Sequence, residues 1–398
     1  MTVVKPVTVL LVCMTLLGVF PIDVILPSIP TLATRFNSTA QSITSSIGLL
    51  TVLVALAQLI IGPASDRYSR KRLFIVCLAL AIVGAIGATL ADGIASFHTW
   101  RAVQALGCGG FVLAHALVQD LFDARQRTRQ RIWLGTAGGV FISVSPLLGV
   151  FLEQRWGWQG SFWAFALIGS CTLALAAWVL PNRNRPSTTA SSDQPSSACK
   201  VRFACASGLA MLAFTCHFSF VVLSPVIFLE TLGTRPGTYG LIMLGYGGAY
   251  LLGGMLALHV AKRSAELPQV RIGLSLIGLA GMSMALSYAC LGMTTLSVLA
   301  GASLMTLGVT LMRPAAVTTA MNALPGRAGT AAAGLNTLTY LGGGAITFLL
   351  GQYAALAYWT LPAVLVALAI VGAALCHVLA TREGVRRAAV KVPAPESQ

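Results

Sequence analysis

The sequence predicts an all-α polytopic membrane protein, with 12 transmembrane helices arranged as two pseudo-symmetric bundles of six. The composition, the lengths of the apolar runs and the positions of the basic residues support this prediction. Of the 398 residues, 56% are hydrophobic and only 9% are charged, and the mean hydropathy is +0.82. A chain of this composition has too few polar side chains to cover a soluble globular domain.

The apolar runs are long enough to cross the hydrocarbon core as helices, which takes about 17–25 residues each. The first run exceeds the apolar core of about 7–15 residues found in a signal peptide, so we expect it to be a spanning helix. The predicted spans are 7–33, 41–63, 73–91, 97–121, 132–152, 161–181, 203–229, 238–260, 271–290, 294–321, 328–351 and 357–380.

A stretch rich in Ser, Thr and Pro separates the sixth span from the seventh. It reads NRNRPSTTASSDQPSSACKVR and has the composition of a flexible linker. We therefore predict an N-terminal six-helix bundle at 1–181, a cytoplasmic linker at 182–202, a C-terminal six-helix bundle at 203–380 and a cytoplasmic tail at 381–398.

Basic residues fall almost entirely in loops on one side of the predicted membrane. Of the 26 Lys and Arg residues, only Arg35, Arg155 and Arg235 fall on the opposite side, and Arg101 and Arg313 lie within spans. Because cytoplasmic loops carry the excess of Lys and Arg, both termini are predicted to be cytoplasmic. The net charge of +15 is explained by these basic loop residues. We expect no nucleic-acid partner, since the sequence contains no element that reads bases.

The loop between the second and third spans contains a charged motif, GPASDRYSRKR at 62–72. It resembles the signature loop G-x-x-x-D-R-x-G-R-[RK]-[RK] of the major facilitator superfamily, with Ser69 in place of the usual glycine. The basic residues alone also fit simple anchoring on the cytoplasmic side. The acid at 66 does not, and we hypothesise that it approaches the positive N-terminal end of a helix from the other half and latches a gate. The predicted gating residues are Gly62, Asp66, Arg67, Arg70 and Lys71.

Two further motifs resemble the drug/proton antiporters within this superfamily. The segment from Arg101 to Gln104 is similar to the R-x-x-Q-G motif, and GVFISVSPLLG at 139–149 is similar to the antiporter motif. Pro146 and Gly149 match the latter, whereas Ser145 stands in place of an expected glycine. Segments at 21–30, 157–163 and 314–331 resemble the bicyclomycin/chloramphenicol-resistance group. The resemblance implies two bundles that open a central cavity alternately to either side, with export driven by proton entry.

Asp23 is the only acidic residue well within an apolar run. A charge at bilayer depth costs at least about 2.5–3.5 kcal/mol on insertion scales, so intramembrane acids are usually functional. We predict that Asp23 is the proton-coupling site, with Arg101 as its partner. The alternative is a static ion pair that only helps to assemble the bundle.

Candidate cavity residues come from both halves of the chain. At about 100° per residue, Arg101, Gln104, Phe111 and His115 share one face of the fourth helix, which should meet protein or water rather than lipid. The alternatives are packing for the aromatic side chains, interior hydrogen bonds for the histidines and snorkelling for the arginine of helix ten. The predicted substrate-cavity residues are Gln104, Phe111, His115, His217, Tyr246, Tyr250, Arg313, Asn336 and Tyr340.

Together these patterns predict a proton-coupled exporter of small amphipathic compounds in a bacterial inner membrane. We expect a monomer, although the sequence itself does not give the oligomeric state. The alternatives are a dedicated exporter of a carboxylate-bearing metabolite such as a siderophore or metallophore, and a receptor or scaffold without transport. The nine cysteines are scattered without a CxxC pair, and no P-loop or Ser/His/Asp arrangement occurs. We therefore expect no metal site, no enzyme activity and no cofactor, with the proton gradient as the energy source.

Overall fold

The computed structural model describes residues 4–181, 196–352 and 357–390, and these residues form helices and connecting turns without a strand. The helices are α1 (Val4–Asp23), α2 (Ile29–Arg35), α3 (Ala40–Arg67), α4 (Arg70–Thr89), α5 (Ile94–Cys108), α6 (Leu113–Leu121), α7 (Ala124–Trp156), α8 (Gln159–Val179), α9 (Ser197–Pro225), α10 (Pro236–Ala261), α11 (Glu266–Leu291), α12 (Thr295–Ala323), α13 (Ala328–Gln352) and α14 (Ala357–Val390).

Three predicted spans continue through a short segment that is not α-helical. A 3₁₀ segment at Leu26–Ser28 joins α1 to α2, another at Gly109–Val112 joins α5 to α6, and a π-helical segment at Val226–Thr231 follows α9. Pro27 lies in the first of these segments and Pro225 ends α9. Proline removes a backbone donor and clashes with the preceding turn, so the regular α-helical pattern is interrupted at both places.

The apolar helices agree with the prediction of 12 membrane helices. Within the described residues, 11 segments are long and apolar enough to cross a membrane. They correspond to all the predicted spans except 328–351, and α13 occupies that position.

The helix ends show how local sequence sets the lengths of these elements. Thr294 and Ser297 form a capping box at the start of α12, in which each side chain accepts from the other's backbone N–H at 3.1–3.2 Å. Gly157 follows α7 with φ of 65°, a left-handed conformation that favours glycine. At its other end α7 begins at Ala124, well before the predicted start of this span at 132, which brings Arg131 inside the helix.

Helices from the first six spans pack against helices from the last six. α3 packs on α13, and α7 packs on α10 and α12. The division into bundles at 1–181 and 203–380 remains a prediction. Residues 182–195 of the predicted linker and residues 391–398 of the predicted tail lie outside the described residues.

Candidate functional site

A cavity of about 240 Å³ lies between the two sets of helices. Its lining comes from α1, α3, α5, α6 and α7 on one side and from α9, α10, α12 and α13 on the other. Most of the lining is apolar. The charged or imidazole side chains that line it are Asp23, His115, Arg131, His217 and Arg313.

Asp23 is the last residue of α1 and the only carboxylate among the described residues that line the cavity. Within the described residues its one hydrogen bond comes from Ser145, whose hydroxyl lies 3.5 Å from Asp23 Oδ2 and also 3.0 Å from the Ile142 carbonyl. Ser145 occupies a position where the antiporter motif has glycine, so this departure from the motif brings a hydroxyl to the acid. The carboxylate is therefore only weakly held by protein groups.

The predicted ion pair between Asp23 and Arg101 is not formed in the described part of the chain. Arg101 is 1% exposed and donates to Gln104 Oε1 at 2.8 Å and to the Pro21 carbonyl at 2.9 Å. Because α1 ends at Asp23, the Pro21 carbonyl lies in the last turn and has no helical partner. The Arg101 guanidinium group thus donates to a carbonyl that would otherwise be unpaired at the helix end. Its central carbon, Cζ, lies 5.7 Å from the centre of the Phe162 ring.

The polar face predicted for the fourth span reaches the cavity only in part. Phe111 and His115 line the cavity, but Arg101 and Gln104 are buried in the surrounding protein and do not. The 3₁₀ segment at Gly109–Val112 explains the difference, because its three residues per turn rotate the following helix relative to an ideal α-helix. Placing Gln104 in the cavity was therefore wrong.

An aromatic and imidazole cluster lies on the opposite wall of the cavity. His217 Nδ1 is 2.7 Å from the Tyr246 hydroxyl, and the His217 and Tyr250 rings meet edge to face at 4.9 Å. His217 and Tyr250 line the cavity, whereas Tyr246 is 0% exposed and lies behind them. Placing Tyr246 in the cavity was wrong, and its role in this structure is to hold the His217 ring.

Arg313 lines the cavity and does not snorkel away from it. Its guanidinium carbon lies 5.6 Å from the centre of the Phe214 ring, a cation–π distance. Within the described residues, this side chain makes no hydrogen bond or ion pair. Asn336 and Tyr340 of α13 line the same cavity, as predicted from the sequence.

Arg131 also lines the cavity, and sequence reasoning missed it by assigning it to a cytoplasmic loop. It is 2% exposed and donates to Thr318 at 3.0 Å and to Gln119 at 2.8 Å. Gln119 in turn donates to Asn322 of α12 at 2.7 Å. Asp123 directly before α7 was the available signal, because Asp is a favoured N-cap residue and predicts an earlier helix start.

Asp66 meets the N-terminus of α13. Its carboxylate accepts from the Gly329 N–H at 2.7 Å, and from the N–H and hydroxyl of Thr330 at 2.8 Å each. The positive end of the helix dipole favours a carboxylate at this place. This is the contact that the sequence hypothesis described, while the latch role remains a prediction. We refer to the part of the bundle around Asp66 as the Asp66 end.

Glycines allow α3 and α13 to approach closely at the Asp66 end. A Cβ atom on Gly62 would lie 2.6 Å from the Gly329 carbonyl, and one on Gly329 would lie 2.9 Å from Asp66 Oδ1 and closer still to the Gly62 carbonyl. Arg70 adds contacts to Asp66 at 3.5 Å and to Asp120 at 3.0 Å. The short distance between the α3 and α13 backbones at this crossing therefore depends on glycine at both 62 and 329.

The remaining gating residues lie at the surface. Lys71 donates to the Ala177 carbonyl at 2.5 Å, and Arg67 is exposed. Neither reaches the contact between α3 and α13. In the structure the motif therefore divides into an inner part at the helix crossing and an outer part that faces the surroundings.

The profile of the Major Facilitator Superfamily matches residues 11–346. This chain belongs to that superfamily. Two solved members show the same fold: the proton:xylose symporter XylE, with a TM-score of 0.73 and 15% identity over 94% of both chains, and the human organic anion transporter MFSD10 (TETRAN), with a TM-score of 0.71 and 16% identity over 94% of this chain and 99% of that one.

Sequence relatives within the superfamily match part of the chain. Multidrug resistance protein MdtL from Escherichia coli O9:H4 (strain HS) is 30% identical over 227 residues, which are 56% of this chain and 58% of that protein. MdtL from Shigella flexneri gives the same values. The chain thus spans less than two thirds of the length of the curated relatives it matches.

Within this superfamily fold, the two residues that match the antiporter motif have different surroundings. Pro146 lies inside α7 and is exposed. Gly149 is buried, and a Cβ atom there would lie 3.0 Å from Pro27 and closer to the Val24 carbonyl. α7 therefore packs tightly on the segment that follows α1, next to Asp23.

Proposed function

We propose that this chain exports small amphipathic compounds in exchange for protons, by alternating access to a cavity between its two halves. The supporting observation is the Asp23 carboxylate, which lines that cavity with a single long hydrogen bond and no ion pair in the described residues. An acid in such a place changes the charge of the cavity when it takes up or releases a proton. That change is the physical requirement for coupling proton movement to cargo.

The contacts at the Asp66 end support the alternating part of the proposal. Asp66 joins α3 to α13, and Arg131 and Gln119 join the first half to Thr318 and Asn322 of α12. In the proposed cycle these bonds close the cavity at this end, and access from there requires them to break. The other state of the cycle would then be the one in which these bonds are lost.

The relatives support the proposal that the chain exports drugs and the proposal that it lies in a bacterial inner membrane. MdtL is named as a multidrug resistance protein, and the motifs at 101–104 and 139–149 resemble those of drug/proton antiporters. We accordingly propose membership of the bicyclomycin/chloramphenicol-resistance group and a bacterial inner-membrane location with both termini cytoplasmic. The proton gradient supplies the energy, the chain acts as a monomer, and the partners are substrate, protons and lipid.

A second candidate function is the export of one endogenous carboxylate-bearing metabolite, such as a siderophore or metallophore. The presence of Arg131 and Arg313 in the cavity favours it, because guanidinium groups bind carboxylates. Growth inhibition across a chemically diverse panel separates the two functions. Resistance to several unrelated compounds supports the first, and unchanged growth together with neighbouring biosynthetic genes supports the second.

The decisive experiment for proton coupling uses inside-out membrane vesicles energised to an acidic interior. Addition of chloramphenicol should release protons from vesicles that contain the wild-type protein, measured by dequenching of acridine orange. Asp23→Asn should abolish this response at equal protein level, whereas Asp92→Asn, at an exposed loop position, should retain it. Proton release that persists in Asp23→Asn would refute the assignment of Asp23.

A further inference from the structure

We propose that the cavity selects organic anions, with the Arg313 guanidinium as the group that binds a carboxylate or sulfonate of the substrate. This inference rests on the proposed transport function and narrows its substrate class. The first observation is the charge of the lining. Arg131 and Arg313 provide two permanent positive charges, and Asp23 is the only carboxylate among the described lining residues.

Neither arginine forms an ion pair in the described part of the chain, although the Glu266 carboxylate attracts Arg131 from a longer distance. Arg131 is occupied by the neutral oxygens of Thr318 and Gln119, while Arg313 has only the face of the Phe214 ring beside it. A cation in a low-dielectric interior is costly unless it is paired or solvated. Arg313 faces the cavity with its donors unused by protein, so a ligand anion can supply the missing partner.

The two arginines act on the same region of the cavity. The His115 imidazole lines the cavity and interacts electrostatically with both Arg131 and Arg313. His217 and Tyr250 interact with the charge of Arg313 as well. Positive potential is therefore concentrated in the part of the cavity around His115, His217 and Tyr250, and a lipophilic cation would be repelled from it.

The rest of the lining fits an apolar body attached to the anionic group. Phe111, Phe214, Phe218, Tyr250 and Tyr340 line the cavity as aromatic walls. The Phe214 and Phe218 rings stack at 5.2 Å, and Tyr340 meets Phe214 edge to face at 5.5 Å. An aromatic or branched apolar substrate with one negative group fills such a site, in the way usual for small-molecule cavities.

An anionic substrate is compatible with proton exchange if the substrate controls whether water can reach Asp23. The substrate and the proton then do not need to compete for one charged group. Asp23 and Arg313 form no ion pair in the described residues, although Tyr340 interacts with both charges, so a substrate anion can bind Arg313 without displacing the Asp23 carboxylate from it. A substrate that fills the space of about 240 Å³ would keep cavity water away from Asp23. The proton would then reach Asp23 only after the substrate has left.

The test uses the purified full-length protein in detergent without any pH gradient. The probes are naphthalene-1-sulfonate and 1-naphthyltrimethylammonium, which share a ring system and carry permanent opposite charges. Equilibrium dialysis against protein-free micelles measures the Kd of each. We expect the wild type to bind the sulfonate at least about tenfold more tightly than the ammonium, since charge-assisted hydrogen bonds to a guanidinium are the strong ones.

Variants at Arg313 assign this preference to one residue. Arg313→Gln should lose about tenfold or more of the sulfonate affinity, Arg313→Lys should recover part of it, and Arg263→Gln, at an exposed position, should behave like the wild type. Equal binding of both probes by the wild type, or an unchanged preference in Arg313→Gln, would overturn the proposal. Recovery in Arg313→Lys guards against loss of folding as the cause.

The binding test of the anion site and the vesicle test of proton coupling can fail independently of each other. Selective sulfonate binding together with vesicles that release no protons would support the anion site and refute the antiport. Proton release on addition of chloramphenicol, together with equal binding of the two probes, would refute the anion site and retain the antiport.

Discussion

Two carboxylates in this protein, Asp66 and Asp23, lie in similar helical settings but are held very differently. Asp66 accepts three hydrogen bonds of 2.7–2.8 Å at the N-terminus of α13, two of them from backbone N–H groups. Asp23 lines a cavity and has one hydrogen bond, at 3.5 Å, in the part of the chain that the structure describes. A carboxylate with saturated, charge-assisted bonds holds two helices together, whereas a weakly held one is free to exchange a proton with water.

The largest expected effect comes from Asp66→Asn. The neutral amide cannot accept from both backbone N–H groups as a carboxylate does, and hydrogen bonds to charged groups contribute about 1.5–3 kcal/mol each. We expect the closed Asp66 end to be destabilised by about 3 kcal/mol, with transport reduced at least tenfold. Hydrogen exchange of the first turn of α13 should become faster in Asp66→Asn than in Asp92→Asn. Unchanged exchange and transport would show that these bonds do not hold the gate.

A smaller effect is expected from Gly329→Ala, which tests the same contact without changing charge. The new methyl group would lie 2.9 Å from Asp66 Oδ1 and closer to Ser65 Oγ and the Gly62 carbonyl, so α3 and α13 must separate. Overpacking of this kind costs about 1–3 kcal/mol. Gly48→Ala, in α3, is the matched control, because a Cβ atom there meets nothing within 4 Å and Gly48 does not line the cavity.

Transport activity and the thermal unfolding temperature of the two alanine variants should be compared directly. We expect Gly329→Ala to lower both relative to the wild type and Gly48→Ala to leave both unchanged. Similar behaviour of the two variants would mean that the close approach of α3 and α13 has no bearing on function.

The contrast between the two acids also shows how far the sequence could predict the structure. Hydropathy located the membrane helices, because that signal depends on local composition. The charged motif indicated that Asp66 meets a helix N-terminus from the other half, but the structure was needed to identify that helix as α13. Helix rotation and helix ends depend on details such as the 3₁₀ segment at Gly109–Val112 and the early start of α7. For this reason the face of Arg101 and Gln104 was misjudged.

Arg131 illustrates the second limit of the sequence. A basic residue next to an apolar run fits a loop on the cytoplasmic side as well as a helical position. Asp123 indicates the earlier helix start, but only the packing of α7 on α12 shows that the Arg131 side chain is buried. Likewise, the partner of Arg101 was predicted from charge alone. The structure gives it the free carbonyl of Pro21, a group that sequence reasoning about charges does not include.

A moderate effect is expected from Arg131→Gln. This substitution tests the contribution of the hydrogen bonds near the cavity while it leaves the Asp66 contact intact. The substitution removes charge-assisted bonds to Thr318 and Gln119, and we expect a loss of about 1–2 kcal/mol and roughly tenfold in transport. Arg129→Gln, at an exposed position of the same helix, should transport like the wild type. If both variants transport normally, the Asp66 contact alone is sufficient to close this end.

The smallest effect is expected from Ser145→Ala, which changes the surroundings of Asp23 without touching its charge. The Ser145 hydroxyl lies 3.5 Å from Asp23 Oδ2, at the limit of a hydrogen bond, and has the Ile142 carbonyl as a nearer acceptor. Its removal should therefore cost less than about 1 kcal/mol and lower proton-driven efflux about threefold. Ser143→Ala is the matched control, because among the described residues Ser143 donates only to the Gly139 carbonyl of its own helix. A tenfold loss in Ser145→Ala, with normal efflux in Ser143→Ala, would show that Asp23 is held as firmly as Asp66 and would remove the distinction between the two acids.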